Sequence, residues 1–459
     1  MYQATILILG FLPWLILAIT SKFTHKTNVI SPLKILAWTF LIGYTLKSIY
    51  LTYAVGNDAP FKTRRLSLEI IPLGQLCILI ATACLVLGYF MFFRFPKHYR
   101  LPSLASRIGL RWVYIPFFSL SLGLMMFYFY QMGLGQQILS GQFRTAKFYI
   151  DEETGVRSTL GFLTVGSDFL VIAALFFALA SEKLKPYNLH ILAIIFVSLC
   201  FMMVGRRNGV MIPIVLALLV LPSRIKLFPQ SNYTSIFDLL RKWRVFVIIG
   251  AILLSLTFVS QVRGAHTEVG VAELNFGDAF AATAEHTLEG AYFLDPAKTA
   301  AIIDHTAKNK SFLMGDSFTN IIYTPIPRVM WPEKPDIKIG PYVAQQILGY
   351  YNRSGVPPGG IGELYLNFGW TGVILGSFFL GTLMAWLHKN ALSAANPAIG
   401  CIKYSVYMMC IIIFLATEFS GAILSLIRYS IALFICEMFW AKRLDWNLYN
   451  RRNSEPIYI

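Results

Sequence analysis

The chain has 459 residues, of which 56% are hydrophobic and only 14% are charged, and its mean hydropathy is +0.61. A soluble globular protein has about 25% charged residues, so this composition argues against a soluble enzyme. The net charge of +16 follows from the membrane topology described below, and it requires no nucleic acid as a partner.

Apolar stretches recur along most of the chain. A bilayer core of about 30 Å takes about 20 largely apolar residues as a helix, because hydrocarbon cannot satisfy open backbone groups. Eleven stretches meet this description, and the seventh has the shortest apolar part. They cover residues 4–20, 33–55, 70–93, 112–132, 159–180, 187–205, 207–226, 243–262, 364–387, 401–419 and 423–440.

The distribution of Lys and Arg predicts the orientation of these spans. The cation-rich connections alternate along the chain, and together they carry 21 Lys and Arg against four acids. Lys and Arg are retained on the cytoplasmic side of short loops. The sequence therefore predicts an all-α polytopic protein with its N-terminus outside and its C-terminus inside. The cation-rich connections are 21–34, 94–111, 181–186, 223–244, 388–404 and the tail from residue 441.

One outer connection is much longer than the others. It divides the chain into eight spans over 1–262, a large periplasmic loop or cap over 263–360, and three spans with a cytoplasmic tail over 361–459. Loops of this length usually carry function or their own folded elements.

Helices are predicted inside this outer segment. Asp295 followed by Pro296 is typical of a helix start and predicts a helix through Lys308. Residues 278–293 form a second amphipathic pattern, and Gly and Pro in 352–362 predict a turn segment able to move.

Metal and cofactor sites are not predicted. The six cysteines form no Cys-x-x-Cys pair, and His266, His286 and His305 have no accompanying metal-binding motif.

Arginines at the outer boundary are candidate ligands for an anion. Arg206 and Arg207 follow the sixth span, Arg263 ends the eighth, Arg328 lies in the outer segment and Arg428 lies in the last outer connection. Several converging guanidinium groups would suit a pyrophosphate at the lipid head groups. Interfacial arginines also snorkel or anchor helix ends, and this alternative stays open.

Arg328 stands in a segment bracketed by prolines, together with Trp331, Glu333 and Lys334. A rigid cationic and aromatic segment suits a sugar phosphate, because Trp stacks on the apolar face of a sugar while cations meet the phosphate. The alternative is a structural brace between Arg328 and Glu333.

Acidic residues near the spans are the candidate bases. Glu363 lies where the outer segment enters the ninth span, and a desolvated carboxylate there suits a general base, with Asp336 and His266 as secondary candidates. The alternative for Glu363 is an ordinary acid near a helix N-terminus. Asp168 and Glu437 lie inside spans, where an acid acts as a proton relay or pairs with an arginine such as Arg428.

Three motifs resemble the O-antigen and oligosaccharide repeat-unit polymerases of the Wzy type. They are Pro-Arg-x-x-Trp-Pro-x-Lys-Pro over 327–335, Gly-x-Gly-Glu-x-Tyr-x-Asn-Phe-Gly over 360–369, and the Gly205–Arg206–Arg207 turn. The resemblance covers roughly 205–369, and the first two hundred residues match only as a run of spans.

The resemblance implies an inner-membrane glycosyltransferase of GT-C-like helical architecture, with about 11–14 spans and an active site facing the periplasm. Its substrates would be undecaprenyl-pyrophosphate-linked oligosaccharides, and a chain-length-regulating co-polymerase is an expected partner. Outer-loop arginines, with Lys334, would bind pyrophosphate. Trp331 and Tyr365 would bind sugar, and Glu363 and Arg328 would be catalytic.

Two other functions stay open. A ligase of the same architecture would transfer the glycan once, onto a lipid A core or a protein. A flippase or ion-coupled transporter favours short loops, internal repeats and paired charges within the membrane, whereas this chain has a large outer segment and no repeat.

Overall fold

The computed structural model describes part of the chain, and within that part every secondary-structure element is a helix. The predicted all-helical fold is confirmed for these residues, and several of the helices are apolar enough to be compatible with a polytopic membrane protein. The chain forms two compact units, one made of Met1–Leu101 and Ala284–Leu426, the other of Pro102–Thr283 and Ile427–Ile459. The described residues are 2–24, 31–56, 69–94, 110–131, 166, 168–173, 197, 294–319, 321–323, 326, 330–331, 339–349, 356–393 and 397–454.

Long apolar helices coincide with the predicted spans. Four helical stretches are long and apolar enough to cross a membrane: Tyr2–Lys22, Pro32–Thr52, Ile71–Phe92 and Gly360–Ser393. Shorter apolar helices fall on the predicted fourth, tenth and eleventh spans. The predicted fifth to eighth spans lie almost entirely outside the described residues, so the total of eleven stays a prediction.

The N-terminal helices belong to the first unit. Ser31 caps the second of them, since its Oγ accepts from the Lys34 N–H at 3.4 Å and Pro32 occupies the first helical position. A π-helical segment, Leu41–Thr45, continues this helix into the third. The bounds are α1 Tyr2–Lys22, α2 Pro32–Phe40, α3 Leu46–Gly56 and α4 Ile71–Phe92.

Polar side chains of the π-helical segment and of α4 donate hydrogen bonds to backbone carbonyls of α1 and so link these helices. Thr45 donates to the Gly10 carbonyl at 3.1 Å, and Gln75 of α4 donates to the Ile6 carbonyl at 2.8 Å. Such hydrogen bonds contribute to helix association where the surrounding lipid offers no hydrophobic drive.

Residues 294–319, from the segment between the predicted eighth and ninth spans, also pack into the first unit. Its helix α6, Pro296–Asn309, is capped by Asp295, which accepts from the Ala297 and Lys298 N–H groups. The predicted cap and helix are therefore confirmed. The N-terminal half of α6 is buried, and the carbonyl of Pro296 approaches Gly74 of α4 too closely for a Cβ there. The segment thus reaches into the helical bundle.

The remaining helices of this part of the chain are α7 Asp316–Thr319, α8 Gly340–Tyr342, α9 Gly360–Ser393, α10 Pro397–Ala416 and α11 Phe419–Ser454. A π-helical segment, Val343–Ile347, follows α8. The predicted turn segment ends earlier than expected, because Gly360 and Gly362 are helical. Their positions admit the close neighbours Phe414 and Ile302, so these glycines serve packing.

Helix α9 is broken at Gly369, which has φ 61° and ψ −147°. The Leu364 carbonyl lies so close to Gly372 that a Cβ on Gly372 would collide with it. Residues 360–368 (α9a) therefore fold back beside residues 370–393 (α9b). In a straight helix Leu364 and Gly372 would be about 12 Å apart along the axis. Glycine is required at 369 by its left-handed φ and at 372 by this close approach.

Helices α4 and α9b pack closely at small residues. Gly88 lies against the Phe378 carbonyl, and Gly381 lies against the Leu85 carbonyl. Small residues let helix backbones approach, which is the usual device of membrane helix pairs.

The second unit contains α5, Leu110–Gln131, and a helical stretch over 168–173. Ser121 of α5 donates to the Gly166 carbonyl at 2.7 Å, and the rings of Phe117 and Phe169 are 5.8 Å apart. These contacts place the helical stretch that contains Asp168 against α5.

Candidate functional site

The structure describes four of the predicted site residues, namely Glu363, Trp331, Tyr365 and Arg428. Five predicted cationic ligands lie outside the described residues, and so do the secondary base candidates Asp336 and His266. The guanidinium cluster therefore stays a prediction. The five cations are Arg206, Arg207, Arg263, Arg328 and Lys334.

Glu363 is a buried acid held at both of its carboxylate oxygens. Its side chain stands in the first turn of α9a, and the residue is 1% exposed. The Ser317 hydroxyl donates to Oε1 at 2.7 Å, and the Phe419 N–H, at the start of α11, donates to Oε2 at 2.6 Å. Glu363 thus joins three elements that are far apart in sequence.

Asn367 completes this arrangement one turn further along α9a. Its Nδ2 group donates to the Ser317 Oγ and to the Glu363 carbonyl, each at 2.8 Å, and its Oδ1 accepts from the Gly315 N–H at 3.0 Å. We call Ser317, Glu363 and Asn367 the Glu363 network. Its polar side chains are all buried, and each has hydrogen-bond partners, as buried polar groups require.

The break at Gly369 explains how the 313–319 segment reaches this network. The break interrupts the helical hydrogen-bond pattern, and the carbonyls of Leu366 and Asn367 accept from the Leu313 and Met314 N–H groups at 3.0 and 3.1 Å. The 313–319 segment is therefore bound to α9a through its backbone as well as through Ser317.

Sequence reasoning missed Ser317 because 46 residues separate it from Glu363, and a lone serine in the short helix α7 carries no signal. Asn367 lies four residues after Glu363, so the two share one helix face, and this spacing was the available clue.

A second buried charged group was also missed. Lys47 of α3 and Asp295 form an ion pair with Nζ to Oδ2 at 3.0 Å, and both side chains are buried. Lys298, also buried, donates to the Pro357 carbonyl at 2.7 Å. The signal available in the sequence was Lys47 itself, since a cation inside a predicted span requires a partner.

The two predicted sugar-binding aromatics have different surroundings. The ring of Trp331 is partly exposed and lies 5.6 Å from that of Tyr323, edge to face. Tyr365 is buried, with the rings of Phe312 and Trp370 at 6.2 and 5.4 Å. Their role in binding sugar stays a prediction.

Arg428 belongs to the second unit, where its Nη1 lies 2.8 Å from Oδ2 of Asp168. The Tyr429 hydroxyl donates to the other carboxylate oxygen at 3.1 Å. Of the two alternatives for Asp168, a proton relay or a pairing with an arginine such as Arg428, the structure shows the pairing. The Arg428 side chain is 27% exposed, while the side chain of Glu437 lies outside those that the structure describes.

His305 lies on α6, where its ring contacts the Asn309 amide at 2.9 Å and the Tyr342 hydroxyl at 3.4 Å. Burial lowers the pKa of His305, and Asp304 opposes this shift. Within the described ranges no three His, Cys, Asp or Glu side chains come together as metal ligands.

Comparison with known proteins identifies the family. The model of the O-antigen polysaccharide polymerase Wzy family matches residues 2–329 and 344–444, which is nearly the whole chain. No curated protein and no solved structure matches it. The match includes the Gly205–Arg207 turn and the 360–369 motif, breaks at residue 329 inside the 327–335 motif, and extends well beyond the 205–369 region on which the resemblance was based. The chain therefore belongs to the O-antigen polysaccharide polymerase Wzy family.

Proposed function

We propose that this protein is an inner-membrane polymerase that transfers a growing glycan from undecaprenyl pyrophosphate to a new lipid-linked repeat unit at the periplasmic face. The observation that carries the proposal is the family match over nearly the whole chain. Members of this family are glycosyltransferase-type polymerases of O-antigen repeat units, and their substrate is a lipid-linked oligosaccharide. The apolar helices agree with a site for substrates that stay anchored in a membrane.

The reaction needs two kinds of groups. The acceptor hydroxyl attacks the anomeric carbon of the growing glycan and loses its proton to a base, while the bond from that carbon to the pyrophosphate oxygen breaks and undecaprenyl pyrophosphate leaves. Its developing negative charge must be stabilised. We assign this role to the predicted pyrophosphate ligands, which are Arg206, Arg207, Arg263, Arg328, Lys334 and Arg428.

Glu363 is the proposed base. Each carboxylate oxygen has room for about two hydrogen bonds, and the described contacts use one on each oxygen. An acceptor hydroxyl must come within about 2.6–3.2 Å of one oxygen. Because Glu363 is buried, the neighbouring 313–319 segment must shift to admit the hydroxyl. We therefore assign Ser317 and Asn367 as positioning residues, which fix the direction of the carboxylate.

Binding of the sugar and regulation of chain length complete the proposal. Trp331 and Tyr365 are the proposed sugar contacts, and a chain-length-regulating co-polymerase is the proposed protein partner. Arg428 would have to exchange its contact with Asp168 for a phosphate oxygen, so its part depends on opening that ion pair.

Two arginine positions test the proposal. Arg328→Ala and Arg263→Ala should abolish long glycan chains in cells while the protein persists in the membrane. Arg→Lys at either position should not restore full chain length, because Lys lacks the two-pronged geometry of guanidinium. The measurement is the glycan ladder on a gel, beside a blot for the protein in the membrane fraction. A normal ladder in both alanine variants would refute the assignment of these arginines.

An assay with purified protein and lipid-linked repeat units separates polymerase from ligase. A polymerase gives a ladder of products from repeat units alone, whereas a ligase gives a single transfer and needs a different acceptor. A deletion strain that loses long polymer but retains one repeat unit would give the same answer in cells.

A further inference from the structure

The predicted outer connection, residues 263–360, is called the external segment here. Three large apolar side chains are exposed together where this segment meets the break in α9. Met314 is 75% exposed, and Phe312 and Phe368 are 43% and 41% exposed. The Phe312 ring lies against Gly369, and the Phe368 ring lies 3.5 Å from the Cβ position of Gly315. We call Phe312, Met314 and Phe368 the apolar tip. Grouped exposed apolar side chains, unlike single ones, usually mark an interaction surface.

The apolar tip is held open by its backbone. The N–H groups of Leu313, Met314 and Gly315 are all engaged with α9a. Met314 itself has φ 47°, a left-handed conformation that costs a non-glycine residue about 1–2 kcal/mol. The fold thus maintains an unfavourable conformation that presents Met314 outward.

The apolar tip continues the exposed apolar face of α9b. Leu375, Phe379, Leu383 and Trp386 are exposed, and their spacing of four, four and three residues places them on one side of the helix. In a membrane-spanning helix such a face contacts lipid. Phe368 precedes this face across the break at Gly369, so the tip lies at one end of the surface that lipid covers.

Helix length places the apolar tip at the membrane boundary. Lys389 is exposed just beyond Trp386, and a lysine there marks one edge of the hydrocarbon core. Residues 370–389 rise by about 28 Å as a helix, close to the thickness of about 30 Å of the core. Gly369 therefore falls near the opposite edge, and the tip falls with it.

The charge pattern of the external segment agrees with this location. Residues 311–327 carry one charged side chain, Asp316, whereas Lys308 and Lys310 precede them and Arg328 follows them. Both lysines are exposed. Cations flanking an apolar segment suit the phosphate level of a bilayer, and the apolar side chains suit the acyl chains below it.

From these observations we infer that the apolar tip inserts into the acyl chains of the bilayer leaflet nearest Gly369, and so anchors the external segment to the membrane beside the Glu363 network. The occupant of this surface is bilayer lipid. The inference does not depend on the proposed catalytic roles, since it rests on exposure, helix length and charge alone.

Site-specific fluorescence in nanodiscs tests the inference. A small environment-sensitive fluorescent amino acid is introduced genetically at position 314 of the full chain, in nanodiscs of phosphatidylcholine and phosphatidylglycerol without polyprenyl lipid. Matched controls carry it at Phe379, which faces outward on α9b, and at Lys308, whose side chain is 72% exposed. Brominated acyl chains report lipid contact, and iodide reports water contact.

Position 314 should be quenched by brominated lipid at least half as strongly as position 379, and by iodide less than half as strongly as position 308. Iodide quenching equal to that at 308 would overturn the inference, because the tip would then face water. Quenching by neither agent would also overturn it, since protein would then cover the tip. If the label at 314 prevents folding, the same measurement at Phe368 decides.

Discussion

Asp295 and Glu363 are both buried acids of the first unit, yet their surroundings differ in charge. Asp295 has a cation, Lys47, at 3.0 Å and also caps α6. Glu363 is held by a hydroxyl and a backbone N–H, and among the described residues it forms no ion pair. A buried carboxylate beside a lysine has a partner for its charge, whereas one held only by a hydroxyl and an N–H has its hydrogen bonds satisfied but no partner of opposite charge. The comparison agrees with a structural role for Asp295 and with the proposed role of Glu363 as the base.

The largest expected effect comes from breaking the Asp295 pair. Lys47→Met leaves a buried carboxylate without its cation, which should cost about 3–5 kcal/mol of folding stability. The melting temperature of the variant in detergent should fall strongly, and the variant should accumulate poorly. The matched control is Lys308→Met, which removes an exposed pair with Asp304 and should cost less than about 1 kcal/mol. Equal melting temperatures for the two variants would contradict a structural role for Lys47.

Glu363→Gln tests the other acid of the comparison. Glutamine keeps the size and an acceptor oxygen, so the protein should still accumulate, but it cannot take the acceptor proton. General bases contribute about 10²–10⁴-fold to rate, so polymerisation of lipid-linked repeat units should fall at least about 100-fold. Asp295→Asn is the matched isosteric change, and there we expect the loss to appear in stability. A Glu363→Gln protein with normal turnover would show that the base is another group.

Sequence reasoning located these two acids unequally well. Asp295 was predicted as a helix cap from its Pro neighbour, because capping is a local property of consecutive residues. Its ion pair with Lys47 was not predicted, since the two residues belong to the two separate stretches of sequence that form the first unit. Glu363 was predicted as a candidate base from its position at a span boundary, while its partner Ser317 had no local signal.

The same distinction holds for the fold. Span length and the apolar composition of the helices are local, and they were predicted well enough to match seven described helices. The break of α9 was not predicted, because only residues 352–362 were predicted as a turn segment, and Gly369 and Gly372 fell inside the predicted ninth span. The different roles of the glycines in these two regions depend on neighbours that only the packed structure supplies, such as Phe414, Ile302 and the Leu364 carbonyl.

Ser317→Ala tests whether Ser317 acts through Glu363. Loss of its hydroxyl removes the donor to Oε1 and the acceptor for Asn367, at a cost of about 1–3 kcal/mol. We expect a lower kcat in the wild-type background. In the Glu363→Gln background the same substitution should leave the residual rate unchanged, because the two residues act as one unit. Additive effects on rate in the double variant would instead indicate a purely structural serine.

The smallest expected effect is that of Gly369→Ala, which opposes the break in α9. Alanine at φ 61° and ψ −147° costs about 1–3 kcal/mol and favours a continuous helix, so it should weaken the fold-back of α9a and with it the fixed direction of Glu363. Gly123→Ala in α5 is the matched control. It has open space at its Cβ position and should be neutral or stabilising by up to about 1 kcal/mol. If Gly369 orients the proposed base, Glu363, without contributing to the ion pair of Asp295, Gly369→Ala should reduce turnover by more than its change in melting temperature explains. A loss of stability with turnover preserved would show that the fold-back serves packing and does not control the carboxylate.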